Sequence, residues 1–297
     1  HYAYLKISEG CNLQCSYCAI PLIRGKHVSV PIEELLEEAD KLARKGVKEL
    51  IVIAQDTTYY GVDLYGERRL AELLRRLARI DGVEWIRLHY TYPAGFPADV
   101  IDVMRDEPKI CKYIDIPLQH ISDNILSGMK RHITKEQTVE LMARLRREIP
   151  GIAIRTTMLV GFPGETEVDM DELLDFVAEQ KFDRLGVFPY SEEEGTAAAE
   201  MADDIPEDEK SRRADRVMEL QSNISAAANV LKIGRHMQIL IDRREGDFYV
   251  GRSQYDSPEV DQEVLVPAGS GYEIIPGTFV NVEITGAEEY DLYAKLV

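Results

Sequence analysis

Positive charge is in short supply in this chain. Its 35 Lys and Arg stand against 53 Asp and Glu, a net charge of −18. A surface of that sign repels phosphates, which argues against a broad nucleic-acid-binding face. No apolar run reaches the length of about 18 residues that a membrane helix needs, and no signal peptide stands at the start. Cysteine is scarce too: four in 297 residues, three of them crowded into residues 11–18. That distribution does not build a secreted disulfide framework, so a reducing cytoplasm is the expected home. Internal repeats and low-complexity tracts are missing. So is an opening methionine: His1 already lies inside a strand-like alternation, which predicts a fragment whose natural N-terminus is elsewhere.

What is present suffices for a real core, since 45% of residues are hydrophobic. From Tyr2 to about Phe188, short apolar runs alternate with amphipathic charged segments. Strands are predicted at 3–8, 48–54, 84–90, 112–118, 152–160 and 184–190, and helices at 32–45, 67–80, 97–106, 134–147 and 166–180. In the last of these, Val168, Leu173, Leu174, Phe176 and Val177 form the expected apolar face. Six β-then-α units imply parallel strands with right-handed crossovers, hence a partial, laterally open (βα)6 barrel, two units short of a closed one. Pro206 followed by three acids starts a long connector helix, with Val217, Leu220, Ile224, Ala227 and Leu231 as its apolar stripe. After residue 233 the pattern changes to five short strands broken by Gly, Pro and Asp. Residues 1–233 therefore read as an α/β domain with a trailing helix, and 234–297 as a small antiparallel β-barrel of the oligonucleotide-binding type.

The three crowded cysteines, Cys11, Cys15 and Cys18, follow the first strand at spacing C-x3-C-x2-C. Three thiolates on one loop can hold three corners of a cubane [4Fe–4S] cluster and leave the fourth iron open to a substrate or second cofactor. Two other readings stay open at this point: a structural zinc site completed by His27 or Cys111, and an inert set of buried thiols. Cys111, alone before the fourth strand, reads as an ordinary packed cysteine.

"CNLQCSYC", with aromatic Tyr17 inside the motif, resembles the signature of radical S-adenosylmethionine (SAM) enzymes. The resemblance implies that SAM chelates the open iron through its amino and carboxylate groups. Reductive cleavage then yields a 5′-deoxyadenosyl radical that abstracts hydrogen from the substrate, with Tyr17 near the adenine. Further stretches are similar to one branch, the methylthiotransferases: "CAIPLIRGKHVSVP", with Arg24 and Gly25, "AQDTTYYG", "DIPLQHISDNIL", the "MKR" at 129–131, "RTTMLVGFPGET" and "PYSEEEGTAAA". By that resemblance Gln55 and Asp56 accept the SAM ammonium, and the small barrel is a TRAM domain. Within the branch the chain looks more like the enzymes that methylthiolate the β-carbon of an aspartate in a small-subunit ribosomal protein than like their tRNA-modifying relatives. The family also carries an N-terminal domain with a second [4Fe–4S] cluster, thought to deliver sulfur. This chain begins after it, so SAM and one cluster are expected, with full methylthio transfer deficient. An external electron donor is implied.

Other residues support the same face of the barrel. "GFPGET" sets Gly161, Gly164 and Glu165 at a strand-to-helix junction, where backbone can approach SAM closely. Arg155, on the strand before it, points to either the SAM carboxylate or a barrel acid. Gln119 and His120 follow the fourth strand at that edge, and His120 can equally cap the next helix. Residues 234–297 hold five bases against twelve acids, a net −7, which suits a strongly basic ribosomal protein better than tRNA. Asp256, Glu259, Asp261 and Glu263 are the expected solvated recruiting surface, and removing 234–297 is expected to leave SAM cleavage intact. Two alternatives remain: a tRNA adenosine methylthiotransferase, and a non-enzymatic zinc-stabilised scaffold.

Overall fold

The computed structural model describes residues 1–269 and 273–297. Six parallel strands form one open sheet in chain order: β1 (Tyr2–Lys6), β2 (Glu49–Ile53), β3 (Trp85–Leu88), β4 (Ile110–Asp115), β5 (Ala153–Val160) and β6 (Arg184–Pro189). The intervening helices are α1 (Ile32–Arg44), α2 (Leu70–Leu77), α3 (Ala98–Asp106), α4 (Lys135–Glu148) and α5 (Glu167–Gln180). Both α4 and α5 start at capping boxes, Thr134 with Gln137 and Thr166 with Asp169, so the chain itself marks where they begin. One face of the strands supplies Leu5, Leu50, Val52, Ile86, Leu88, Ile114 and Ile154 to a core shared with Leu35, Leu73, Met142 and Leu173. On α5, Val168 turns out exposed and Met170 takes the buried position.

The alternate residues face inward, and here the chain is far from apolar: Glu49, Arg87, Tyr113 and Asp115 are fully buried. The second barrel covers them. It comprises β7 (His236–Glu245), β8 (Phe248–Ser253), β9 (Glu263–Pro267), β10 (Phe279–Ala287) and β11 (Asp291–Leu296), closed in the order β8-β9-β11-β10-β7. It is not wholly antiparallel, because β9 and β11 run parallel. Closure forces this: strands in a ring of five cannot all alternate direction, so one parallel pair must occur.

Between the barrels, Trp85, Cys111, Tyr113 and Ala153 pack against Leu240, Tyr255 and Phe279. Cys111 is therefore a packed interface thiol. Around that apolar patch run ion pairs: Arg87 to Glu49 at 2.7 Å, Arg252 to Glu49, Arg155 to Asp261 at 3.3 Å and Arg184 to Asp256. Asp256 and Asp261 thus lie buried between the domains, not on a solvated recruiting surface; Glu263 pairs with Arg243, and Glu259 alone of the four is exposed without an ion pair. The small barrel fills the open trough of the larger one, so it is not a detachable appendage. Glu49 holds two buried guanidiniums, and Glu49→Ala should destabilise the chain by about 3–5 kcal/mol, measured by denaturant unfolding.

The connector α6 (Glu207–Val230) packs on β6 and α5. Of the expected apolar stripe, Val217 is buried and Leu220 and Ile224 pack half-buried on the core, while Ala227 and Leu231 are exposed; the buried line is Arg213, Val217, Gln221, Ser225 and Asn229. The reason is hydrogen bonding along a sheet edge: Gln221 donates to the Phe182 carbonyl, and Asn229 to the carbonyls of Glu288 and Glu289.

Candidate active site

A two-residue pairing of Ser8–Glu9 with Val28–Ser29 folds the loop 10–27 back over the C-terminal end of the strands. Gly10 opens that loop at φ +79°, and a Cβ there would meet the Lys26 carbonyl oxygen at 2.2 Å, so only glycine fits. Cys11 N–H donates to the Gly25 carbonyl, and Cys18 N–H to that of Cys15. Ser16 ties the loop to the far side of the barrel: its N–H donates to the Met129 carbonyl and its hydroxyl to that of Gly128 at 2.7 Å. Tyr17 rests on an apolar cluster of Ile125, Met129, Phe162 and Tyr190.

Cys11, Cys15 and Cys18 are all free thiols and all line one cleft of about 190 Å3, together with Tyr17, Gln55, Tyr90, Tyr92, Gln119 and Arg131. Burial pushes the Cys11 thiol up to about 11 and raises Cys18 as well, so a metal that binds these thiols must displace their protons. Among the described residues, no three His, Cys, Asp or Glu side chains converge as a single-ion site. A cubane cluster instead needs its three sulfurs at separate corners, which this donor set suits. His27 hydrogen-bonds Ser29 and Cys111 lies between the domains, so neither completes a zinc site.

Arg131 carries positive charge into this cleft. It is 4% exposed, with Nη1 at 3.6 Å from Cys15 Sγ and 3.4 Å from Tyr17 Oη, and its guanidinium stacks over Tyr92 at 4.5 Å. Nη2 donates to the Pro117 carbonyl. A buried cation beside thiolates offsets the negative charge that a cluster brings. Nothing in the local pattern of "MKR" assigns Arg131 this role, because the contact spans more than a hundred residues.

Of the residues expected to touch SAM, the structure brings Tyr17 and Gln55 to the cysteines and gives the others different work. Gln55 donates to Glu9 at 2.9 Å, while its carbonyl oxygen is buried without a protein partner. Asp56 caps the turn Thr57–Tyr59, accepting from the Thr58 N–H and hydroxyl; burial raises its pKa. Arg155 is held by Asp115 at 2.8 Å and by Asp261, so the barrel acid takes the guanidinium. The Gly161–Glu165 turn faces α6. A Cβ on Gly161 would meet Lys210 Cγ at 2.4 Å, and Glu165 accepts from the Gly161 N–H while pairing with Arg213 at 2.8 Å. Gly164 donates to Asp204. His120 is buried and accepts from the N–H of Ser122, the N-cap of the short helix Asp123–Gly128, so it steadies the turn before that helix and does not cap it.

Residues 5–177 match the Radical SAM superfamily and residues 233–297 the TRAM domain. The chain is 57% identical over 295 residues to the ribosomal protein uS12 methylthiotransferase RimO of Flavobacterium johnsoniae, covering 99% of this chain and 67% of that protein. It is equally similar to the RimO of Porphyromonas gingivalis over 298 residues, covering 100% and 69%. In fold it resembles Escherichia coli coproporphyrinogen III oxidase HemN, a radical SAM enzyme (TM-score 0.55, 20% identity, 76% of this chain and 53% of that one). The radical SAM methyltransferase TsrM of Kitasatospora setae is similar too (TM-score 0.54, 21% identity, 63% and 36%). With a six-stranded open barrel, a closed TRAM barrel and a three-cysteine cleft in one chain, this protein belongs to the radical SAM superfamily and, within it, to the uS12 methylthiotransferase family.

Proposed function

We propose that this chain forms the radical SAM and TRAM portion of an enzyme that adds a methylthio group to ribosomal protein uS12, at the β-carbon of an aspartate. The observation that carries this reading is the occurrence of the three-thiol cleft in a chain 57% identical to proteins named for that reaction. Cys11, Cys15 and Cys18 would hold a [4Fe–4S] cluster, which supplies the electron for reductive cleavage of SAM when bound. The chain's own residues do the rest. Tyr17, Tyr90 and Tyr92 wall the cleft and limit water, Arg131 balances its charge beside Cys15, and Gln55 offers an unpaired carbonyl oxygen near the loop. The family's second cluster would belong to the third of the relatives' length that the chain does not span. An external reductant is needed, and a ribosomal substrate puts the work in the cytoplasm.

The tRNA alternative finds no support in the charge of the TRAM barrel, and a zinc scaffold none in the places of His27 and Cys111, its two candidate fourth ligands. The test is to reconstitute the chain anaerobically with SAM and reductant and to follow release of 5′-deoxyadenosine with either purified uS12 deuterated at the aspartate β-carbon or bulk tRNA. Because the sulfur-delivering cluster would belong to that unspanned third, the expected result is deuterium carried from uS12 into 5′-deoxyadenosine, with tRNA giving no such release. Release driven by tRNA and not by uS12 would overturn the assignment.

A further inference from the structure

Two more cavities continue from the cysteine cleft along the open side of the barrel. The first, about 330 Å3, shares Tyr90 with the cleft and is closed by Tyr4, His89 and Arg155 on one side and Ser257 and Val260 on the other. The second, about 300 Å3, shares Arg155 and Val260 with the first and reaches α6 and Tyr290. The three adjoin through these shared residues, and this run of cavities, the trough, has walls from both domains in its two outer chambers.

Its features single out a kind of occupant. Tyr4, Tyr90, Val260 and Tyr290 are 47%, 48%, 58% and 50% exposed, large side chains left open in a row beside a reactive cleft. Tyr90 sits at the junction in the left-handed region, φ 54°, an unfavourable state for an aromatic residue. It is held there by Asp115, which accepts its N–H at 3.0 Å, and by Thr57, whose N–H donates to its carbonyl. The guanidiniums lining the two outer cavities are already engaged, Arg155 by Asp115 and Asp261, Arg184 by Asp256 and Gln262, and Arg131 in the cleft by the Pro117 carbonyl. Burial pushes His89 down to about 4, so it is neutral at physiological pH. A phosphate backbone therefore meets little positive charge there, while exposed Glu289 lines the path with negative charge.

We infer that the trough is the docking path of the protein substrate: an extended basic segment lies along it from Tyr290 to Tyr90, and the residue to be modified passes Tyr90 into the cysteine cleft. This rests on the protein-substrate reading above and adds where that protein binds. An extended chain advances about 3.3 Å per residue, so a run of chambers suits a peptide better than one small molecule.

The test uses the full chain and two double variants. Val260→Arg with Tyr290→Arg sets two positive charges in the trough. Val168→Arg with Val230→Arg sets the same charge on exposed positions of α5 and α6 outside the three cavities. Purified uS12 is titrated against each and against the parent chain, and an unchanged thermal midpoint verifies folding. The expected result is at least a tenfold loss of uS12 affinity in the trough variant and less than a threefold loss in the control. Equal losses would reduce the effect to net charge and overturn the trough, and so would unchanged affinity in both. A parent chain that ignores uS12 and binds tRNA tightly would bring down the protein-substrate reading first, and the trough with it.

Discussion

Replacing any one of Cys11, Cys15 and Cys18 with alanine is expected to abolish the brown iron–sulfur chromophore and the reductive cleavage of SAM together. The cleft offers three thiols and no nearby substitute: His27 is engaged with Ser29, and Cys111 lies between the domains. A cluster reduced to two protein ligands would have two irons exposed and would be lost under mild chelation. The protein itself should survive, because all three cysteines are only partly buried and contribute little to the core. Iron content, visible absorbance and a thermal melt separate loss of cluster from loss of fold. A triple-alanine chain that retains about four irons would remove the cysteines from the site.

A larger structural effect is expected from deleting residues 234–297. Sequence reasoning treats that segment as a module whose loss leaves the chemistry untouched, and the structure reverses this. Without it, Trp85, Cys111 and Tyr113 lose their apolar cover, Glu49 loses Arg252, and Arg87 loses its bonds to the backbone carbonyls of Ser253 and Gln254. An apolar patch and a broken charge network would both open to water. The 1–233 chain should be insoluble or lack a cooperative unfolding transition, and should not take up iron in reconstitution. Soluble 1–233 chain that melts cooperatively and binds a full cluster would show that the large barrel stands alone.

These two cases also mark what the sequence makes legible. All six strands and five principal helices of the large barrel follow from apolar periodicity and capping, because both signals are local: Thr134 and Gln137 meet within one turn. The cysteine motif is legible for the same reason, its three thiols falling within eight residues. What escapes is most of the roles fixed by a distant partner, although a barrel acid for Arg155 is anticipated as one of two readings. Asp256 and Asp261 look like solvated acids until Arg184 and Arg155 arrive from another domain. Glu165 and Gly161 look like a ligand-binding turn, but α6 packs against them and takes their polar groups. Arg131 reaches Cys15 across 116 residues, a contact to which no spacing rule points. Even the polar buried line of α6 has a long-range cause, since its partners are backbone carbonyls of other elements.

The central claim is that the three-cysteine cleft holds a cluster whose fourth iron binds SAM. Its most direct test is electron–nuclear double resonance on the reconstituted, reduced chain with SAM labelled by 15N at the amino group and 17O at the carboxylate. The account predicts hyperfine coupling to both labels, and loss of the cluster signal in Cys15→Ala. A reduced cubane cluster that shows no coupling to either label at saturating SAM would contradict it.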